Sequence, residues 1–300
     1  LMADFPNTYC YSKCMGEKLV QDLWRPEMPM CIVRPSIVIA TSEEEPVSGW
    51  VDNYNHLSGL LIAAGMGIIR VFYTSLFDAR VDVIPLDHVV SLIVAAAWKT
   101  GTTPNTSNDL KVYNCCSGPD NPFIPCVTVP WAYEAFWICP PENVYWYPWQ
   151  YVTQNETLFR LLDKIFHLFP AHLIDFSAKL SGKEPKMVAV YNRMQAQFKS
   201  LQFFMNNLWN FSTENTKGLY ASMNPTDKQM FMFNMSALDW KKYMYNYVWG
   251  MKKYTLKESE KGHEASRRNL RRLYVVHQVT NLVLVVLLSW LLYLFIQALY

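Results

Sequence analysis

Hydrophobic and polar positions change their period along the chain. Over residues 8–24, Tyr9, Leu19, Val20 and Leu23 recur at helical spacing and Arg25-Pro26 closes the run, which predicts a helix. Residues 30–40, MCIVRPSIVIA, form a β-branched run that carries Arg34-Pro35 and reads as a strand. An acidic loop at residues 43–45 follows, then a Gly-bearing apolar stretch over 56–71 that ends near another strand candidate. In RVDVIPLDHVVSLIVAAAWK, residues 80–99, Asp87 stands where an N-cap belongs, ahead of a buried helix over 88–99. Residues 101–108 make a polar loop, and 111–116 a further strand closed by Ser117-Gly118-Pro119. Helix and strand text alternating in this way is what a parallel α/β sheet requires.

The text changes character at the aromatic, Pro-punctuated residues 145–150, where a domain boundary is expected. Residues 156–257 hold few strand signals. Apolar letters at three- and four-residue spacing over 159–176, 186–211 and 241–255 predict a mainly helical module. Its aromatic residues, among them Phe198, Phe203, Phe204, Trp209, Phe211, Phe231, Phe233, Trp240, Tyr243 and Tyr247, are expected in a core, and so greasy a region suits a lipid-like substrate. Residues 273–300, LYVVHQVTNLVLVVLLSWLLYLFIQALY, contain no Asp, Glu, Lys or Arg. A bilayer core takes about 20 helical residues, so the stretch predicts a membrane-spanning or membrane-anchoring helix, its spanning part starting nearer Thr280. A helix lying in the membrane surface is the other reading. Arg267, Arg268, Arg271 and Arg272 just upstream predict that the preceding polypeptide faces the cytosol.

Composition narrows the classes. Three hundred residues suit about two domains; 51% apolar and 15% aromatic letters exclude disorder as the dominant state. With 27 Lys+Arg against 25 Asp+Glu, nucleic-acid binding by bulk charge is excluded. The seven cysteines, all in the first half and odd in number, read as buried free thiols in a reducing compartment. Cys10 and Cys14 lack partners for a zinc site, so no metal is expected. Sequons at Asn105, Asn155, Asn210 and Asn234 are weak glycosylation signals. The chain opens on Leu1 a few residues ahead of a helix start, without a leader, and is expected to be truncated at its N-terminus.

Tyr9-Cys10-Tyr11-Ser12-Lys13 places a phenol and an ammonium at i and i+4, on one helix face. A cation beside a phenol favours the phenolate and makes it a usable general acid or base, the chemistry a carbonyl reductase needs. The spacing alone arises about once by chance in a chain with 18 Tyr; the order of segments carries more. PNTYCYSKCMGEKLV, then VRPSIV with Gly49-Trp50-Val51-Asp52-Asn53, then DVIPLDHVV heading a helix, then Val112-Tyr113-Asn114, resembles the second half of an extended short-chain dehydrogenase/reductase. More narrowly it resembles the alcohol-forming fatty acyl-CoA reductases. Asn215-Thr216, Met232-Phe233-Asn234, Leu238-Asp239-Trp240, Tyr243, Tyr247-Val248-x-Gly250 and Lys253-Tyr254 are similar to that family's C-terminal domain, and the apolar tail matches too.

The resemblance implies an α/β fold: the C-terminal portion of a doubly wound, Rossmann-type parallel sheet over residues 1–150, a helical domain over 156–257, and a membrane helix over 273–300. It implies reduction of a long-chain acyl-CoA by two NADPH, through an aldehyde, to a fatty alcohol. Tyr9 would protonate the developing oxyanion. Lys13 would assist it and hydrogen-bond the nicotinamide ribose, and Pro35, Ser36, Ile37 and Val38 would line the nicotinamide pocket. Membrane lipid of the endoplasmic reticulum or peroxisome is the expected surroundings, with no nucleic acid; a homo-oligomer is left open. The family's glycine-rich phosphate-binding turn and its catalytic serine strand have no counterpart in these residues, since Gly65-Met66-Gly67 lies too late and lacks a third glycine. The 300 residues alone are therefore expected to be inactive. A membrane-bound sterol or sugar reductase and a non-catalytic lipid carrier are the alternative readings. Asp82 and Asp87 read as strand-end and cap groups and Arg34 as structural. His56, His88, His167 and His172 read as satisfied or exposed.

Overall fold

The computed structural model describes residues 5–42, 47–74, 80–103, 109–205, 207–259 and 263–299. The acidic loop at 43–45, most of the polar loop at 101–108 and the sequon at Asn105 lie outside the described residues. The elements in chain order are α1 (Thr8–Leu23), β1 (Cys31–Pro35), β2 (Ile37–Ile39), α2 (His56–Gly65), β3 (Val71–Tyr73), β4 (Val83–Pro85), α3 (Leu86–Thr102), β5 (Lys111–Cys115), α4 (Pro125–Ile138) and β6 (Tyr151–Thr153). They continue as α5 (Glu156–Asp163), α6 (Phe169–Leu180), α7 (Met187–Met205), α8 (Glu214–Ser222), α9 (Pro225–Met230), α10 (Trp240–Gly250) and α11 (His263–Leu299). Contacts divide the chain into two compact units. One joins Leu1–Val51, Thr74–Val129 and Ala196–Gly250; the other joins Asp52–Tyr73, Pro130–Gln195 and Met251–Tyr300. Each unit thus takes segments from both sides of residue 150.

In the first unit the expected strand over 30–40 is one extended run that changes partner at Ser36. β1 pairs in parallel with β5, Cys31 opposite Lys111 and Pro35 opposite Cys115, while β2 pairs in parallel with β4, Ile37 opposite Val83. Helical connections between parallel strands, such as α3 between β4 and β5, are the α/β arrangement that the alternating text required. Leu92, Ala96, Val83, Ile84 and Phe123 are buried here, joined by Tyr243, Met244, Tyr247 and Val248 of α10. The expected cap at Asp87 is corrected. α3 begins at Leu86 with Pro85 at its N-cap, and Asp87 lies inside the first turn. Its buried carboxylate instead accepts from Ser42 N at 2.8 Å, Ser42 Oγ at 2.5 Å and His88 N at 3.2 Å.

Burial alone would push the Asp87 carboxyl up, but the hydrogen bonds from His88 and Ser42 outweigh it and hold the group below the usual carboxylate range. A carboxylate depressed by folding adds stability above its unfolded value of about 3.9, and that contribution is lost as pH falls through the folded value. Asp87→Asn is therefore expected to lower stability by about 1–3 kcal/mol at neutral pH. The gap to the parent should close below about pH 4; urea titrations of both proteins across pH would check it.

In the second unit β3 pairs in parallel with β6, Val71 opposite Tyr151. The core holds Leu61, Ile62, Val71, Tyr133 and Phe136, and Gly65 of α2 lies so close to Phe136 that a Cβ would meet the ring at 2.6 Å. α5 runs through a single π-helical turn, Lys164–Leu168, into α6, where the text predicted one helix over 159–176. The helix expected over 186–211 ends at Met205. α4, apolar on every side with Pro130 inside, and the three-residue β6 have no periodic signal and were not expected. α11 contains the one stretch among the described residues long and apolar enough to cross a membrane, and none of that stretch is buried.

Candidate functional site

α1 presents the Tyr-x-x-x-Lys pair. Asn7 caps it, its side chain accepting from Cys10 N at 2.8 Å, and Tyr9 and Lys13 fall in the first two turns. Helical spacing brings them together: Lys13 Nζ lies 5.6 Å from the centre of the Tyr9 ring. Tyr9 is 66% exposed, and among the described residues its hydroxyl has no hydrogen-bond partner. α1 buries no residue; an ion pair from Glu17 to Arg34 ties it to β1. That pair gives Arg34 the structural part expected of it.

Pro35, Ser36, Ile37 and Val38 lie together where β1 passes into β2. Ser36 N donates to Cys115 O at 3.0 Å and Ile37 N to Asp82 O at 3.2 Å. Ser36 Oγ is buried and has no hydrogen-bond partner. Neither Tyr9 nor Lys13 hydrogen-bonds these four residues in this structure. Beside them lies a cavity of about 140 Å³ lined by Ile84, Cys115, Cys116, Asp120, Thr213, Thr216, Lys217, Tyr220, Ala221, Phe233, Asn234 and Met235. Cys115 and Cys116 are both buried there. Burial first, and then the charge of Asp82, pushes the Cys115 thiol up to about 12 and Cys116 higher still. The other cysteines are free but not uniformly buried as the text suggested, for Cys14 and Cys126 are exposed. Asp82 is a strand-end group, accepting from Ser117 N at 2.8 Å and Gly118 N at 3.1 Å.

The motif residues of the second half clamp onto the strands of the first. Asn215 Nδ2 donates to Val112 O and Thr216 Oγ1 to Asn114 O, both at 2.8 Å, while Asn114 Nδ2 donates back to Ser212 O. Asn121 Nδ2 donates to Met235 O at 3.0 Å and Leu238 O at 2.7 Å; Trp240 Nε1 donates to Asn121 O. Tyr243 Oη reaches the carbonyl of Ala40, just past β2, at 2.8 Å. Of the expected aromatic core, Phe233, Trp240, Tyr243 and Tyr247 are buried, whereas Phe203 and Trp209 are exposed.

Sequence reasoning missed a buried network in the second unit. His167 donates Nδ1–H to Asp163 Oδ1 at 2.7 Å, and its Nε2 accepts from Arg70 N at 2.9 Å. Tyr191 Oη and Gln195 Nε2 donate to the same Asp163 carboxylate at 2.5 and 2.8 Å. The Asp-x-x-x-His spacing was the available signal. With backbone N–H on Nε2 and Asp163 on Nδ1, both ring nitrogens are engaged and the dyad ties the start of β3 to the π-helical turn.

Parallel strands joined by helices, with the Tyr9–Lys13 pair on the helix ahead of β1, define an α/β protein. Two family models, both described as male sterility protein, match the chain, an NAD-binding one over residues 1–93 and another over residues 166–258. Over 288 residues the chain is 38% identical to fatty acyl-CoA reductase 1 of Xenopus laevis and 37% identical to that of Homo sapiens, covering 96% of this chain and 55% of each relative. Fatty acyl-CoA reductase 2 of Bos taurus is 37% identical over 290 residues, covering 97% of this chain and 55% of the relative. The chain spans about half the length of these curated relatives. Male sterility family models thus match both parts of the chain, and over nearly its whole length it is similar to fatty acyl-CoA reductases.

Proposed function

We propose that this chain carries the Tyr–Lys helix and the nicotinamide side of a reductase that converts a long-chain acyl-CoA to a fatty alcohol. NADPH is the reductant, used twice: the first hydride gives an aldehyde as the acyl C–S bond breaks and coenzyme A leaves as its thiol, and the second gives the alcohol. The observation that carries the reading is the Tyr9–Lys13 pair in a chain alike to fatty acyl-CoA reductases over nearly its whole length. Residues 1–150 are the reductase portion, 156–257 the helical domain and 273–300 the anchor, with the polypeptide ahead of the anchor facing the cytosol at the endoplasmic reticulum or peroxisome.

The residues present suit the nicotinamide part of the cofactor. Ser36 Oγ is a buried hydroxyl without an acceptor or donor, beside Pro35 and within the run that ends at Val38, and Lys13 is the cation one turn from Tyr9. A bound nicotinamide supplies hydride to the carbonyl carbon. Tyr9 Oη gives its proton to the oxygen on which charge develops, and the Lys13 ammonium stabilises the phenolate left behind. The cavity walled by Ile84, Phe233 and Met235 takes an apolar part of the substrate. A glycine-rich turn for the dinucleotide phosphates is not among the 300 letters, so the chain on its own is proposed to be inactive.

The test is a chimera in which this chain replaces the matched part of the Xenopus relative. With NADPH and palmitoyl-CoA in membranes it should release fatty alcohol. A chimera that inserts and folds yet yields none, where the parent frog enzyme does, overturns the reading.

A further inference from the structure

Arg70 precedes β3 and is 8% exposed. An Nη2–H donates to the carbonyl of Phe166, the side chain's one hydrogen bond, and no carboxylate pairs with it among the described residues. Its Nε–H is buried without an acceptor. Burial pulls the guanidinium down to about 10, and no acid offsets this. A buried cation without a counter-charge is costly, and so is each buried donor left without an acceptor.

A second orphan donor belongs to the same group of side chains. Trp149 Nε1–H is also buried without an acceptor, and its ring packs on Phe166 at 5.3 Å, the residue that Arg70 holds. Trp146 lies 5.9 Å from the Arg70 guanidinium and donates Nε1–H to His277 of α11 at 3.3 Å. Tyr147 and Trp149 stack on the same imidazole at 5.5 and 6.1 Å. His277 stands five residues after Arg272 and five before Leu282, where the unbroken run of exposed apolar residues begins. At a rise of about 1.5 Å per residue it lies about 8 Å from each, the depth at which Trp and Tyr rings meet phospholipid headgroups.

We propose that Arg70 and Trp149 bind the headgroup phosphate of an anionic phospholipid where α11 meets the membrane. The phosphate supplies the missing counter-charge and accepts from both orphan donors, Arg70 Nε–H and Trp149 Nε1–H. Trp146 and Tyr147 wall the site, and the acyl chains run along the apolar face of α11.

Native mass spectrometry of the detergent-purified chain, titrated with phosphatidylglycerol, tests this. The parent should retain one lipid tightly, Arg70→Gln should bind it at least about tenfold more weakly, and Trp149→Phe, which keeps the ring and removes only the donor, about three- to tenfold more weakly. Should Arg70→Gln fail to fold, Trp149→Phe decides alone. Equal retention by parent and Trp149→Phe overturns the proposal. So does displacement of the lipid by inorganic phosphate or coenzyme A at low concentration, which would assign the site to a soluble phosphate.

Discussion

Tyr9→Phe in the Xenopus chimera should lower fatty alcohol output by about 10²–10⁴-fold, the range that a positioned general acid contributes. The loss should fall on kcat, because the hydroxyl matters only once charge develops on the carbonyl oxygen. Stability should not move: Tyr9 is 66% exposed, its hydroxyl has no partner among the described residues, and the ring stays in place. Lys13→Met should lower kcat as well, since it removes the cation 5.6 Å from that ring. Output persisting at the parent's rate in Tyr9→Phe would make the pair a surface feature of α1, and the lipid-carrier reading would replace catalysis.

What the sequence disclosed follows from the range of the interaction involved. α1, β1 with β2, β5 and α11 were legible because each is decided by spacing within a dozen or so residues: a helical period, a β-branched run, an unbroken apolar stretch. The Tyr9–Lys13 contact is of the same local kind. α4 was not legible, for its apolar residues follow no helical period and Pro130 argues against it. Asp87 looked like a cap because aspartate favours that place; a serine 45 residues earlier captures its carboxylate instead. The buried hydroxyl of Ser36 and the lone guanidinium of Arg70 are products of tertiary packing. Arg70 and His167 are 97 residues apart, and no pattern along the chain announces that they meet.

The same contrast sets the largest stability effect expected. Gly250 ends α10, and a Cβ added there would lie 1.7 Å from the Gly49 carbonyl oxygen and 2.8 Å from its Cα. Gly49 is the reciprocal case, with φ +70° and a virtual Cβ 2.1 Å from Asn246 O. Both obstacles are backbone, so neither can rotate aside, and the neighbouring Tyr247 and Val248 are fully buried. Gly250→Ala should therefore cost about 3 kcal/mol or more, the upper range of overpacking, and Gly49→Ala a further ~1–2 kcal/mol for the left-handed backbone. Gly218, inside α8 with nothing within 4 Å of its Cβ position, is the control; Gly218→Ala should gain up to about 1 kcal/mol of helix propensity. Urea midpoints of the three variants in detergent, followed by tryptophan fluorescence, would separate them. A Gly250→Ala protein within about 0.5 kcal/mol of the parent would mean that the two backbones do not touch. The contact also bears on the site. Gly49 N donates to Thr41 O and Thr41 N to Trp50 O, so the glycine pair fixes the segment that leaves β2 just beyond Val38. Loosening it should weaken the proposed nicotinamide side of the site along with the fold.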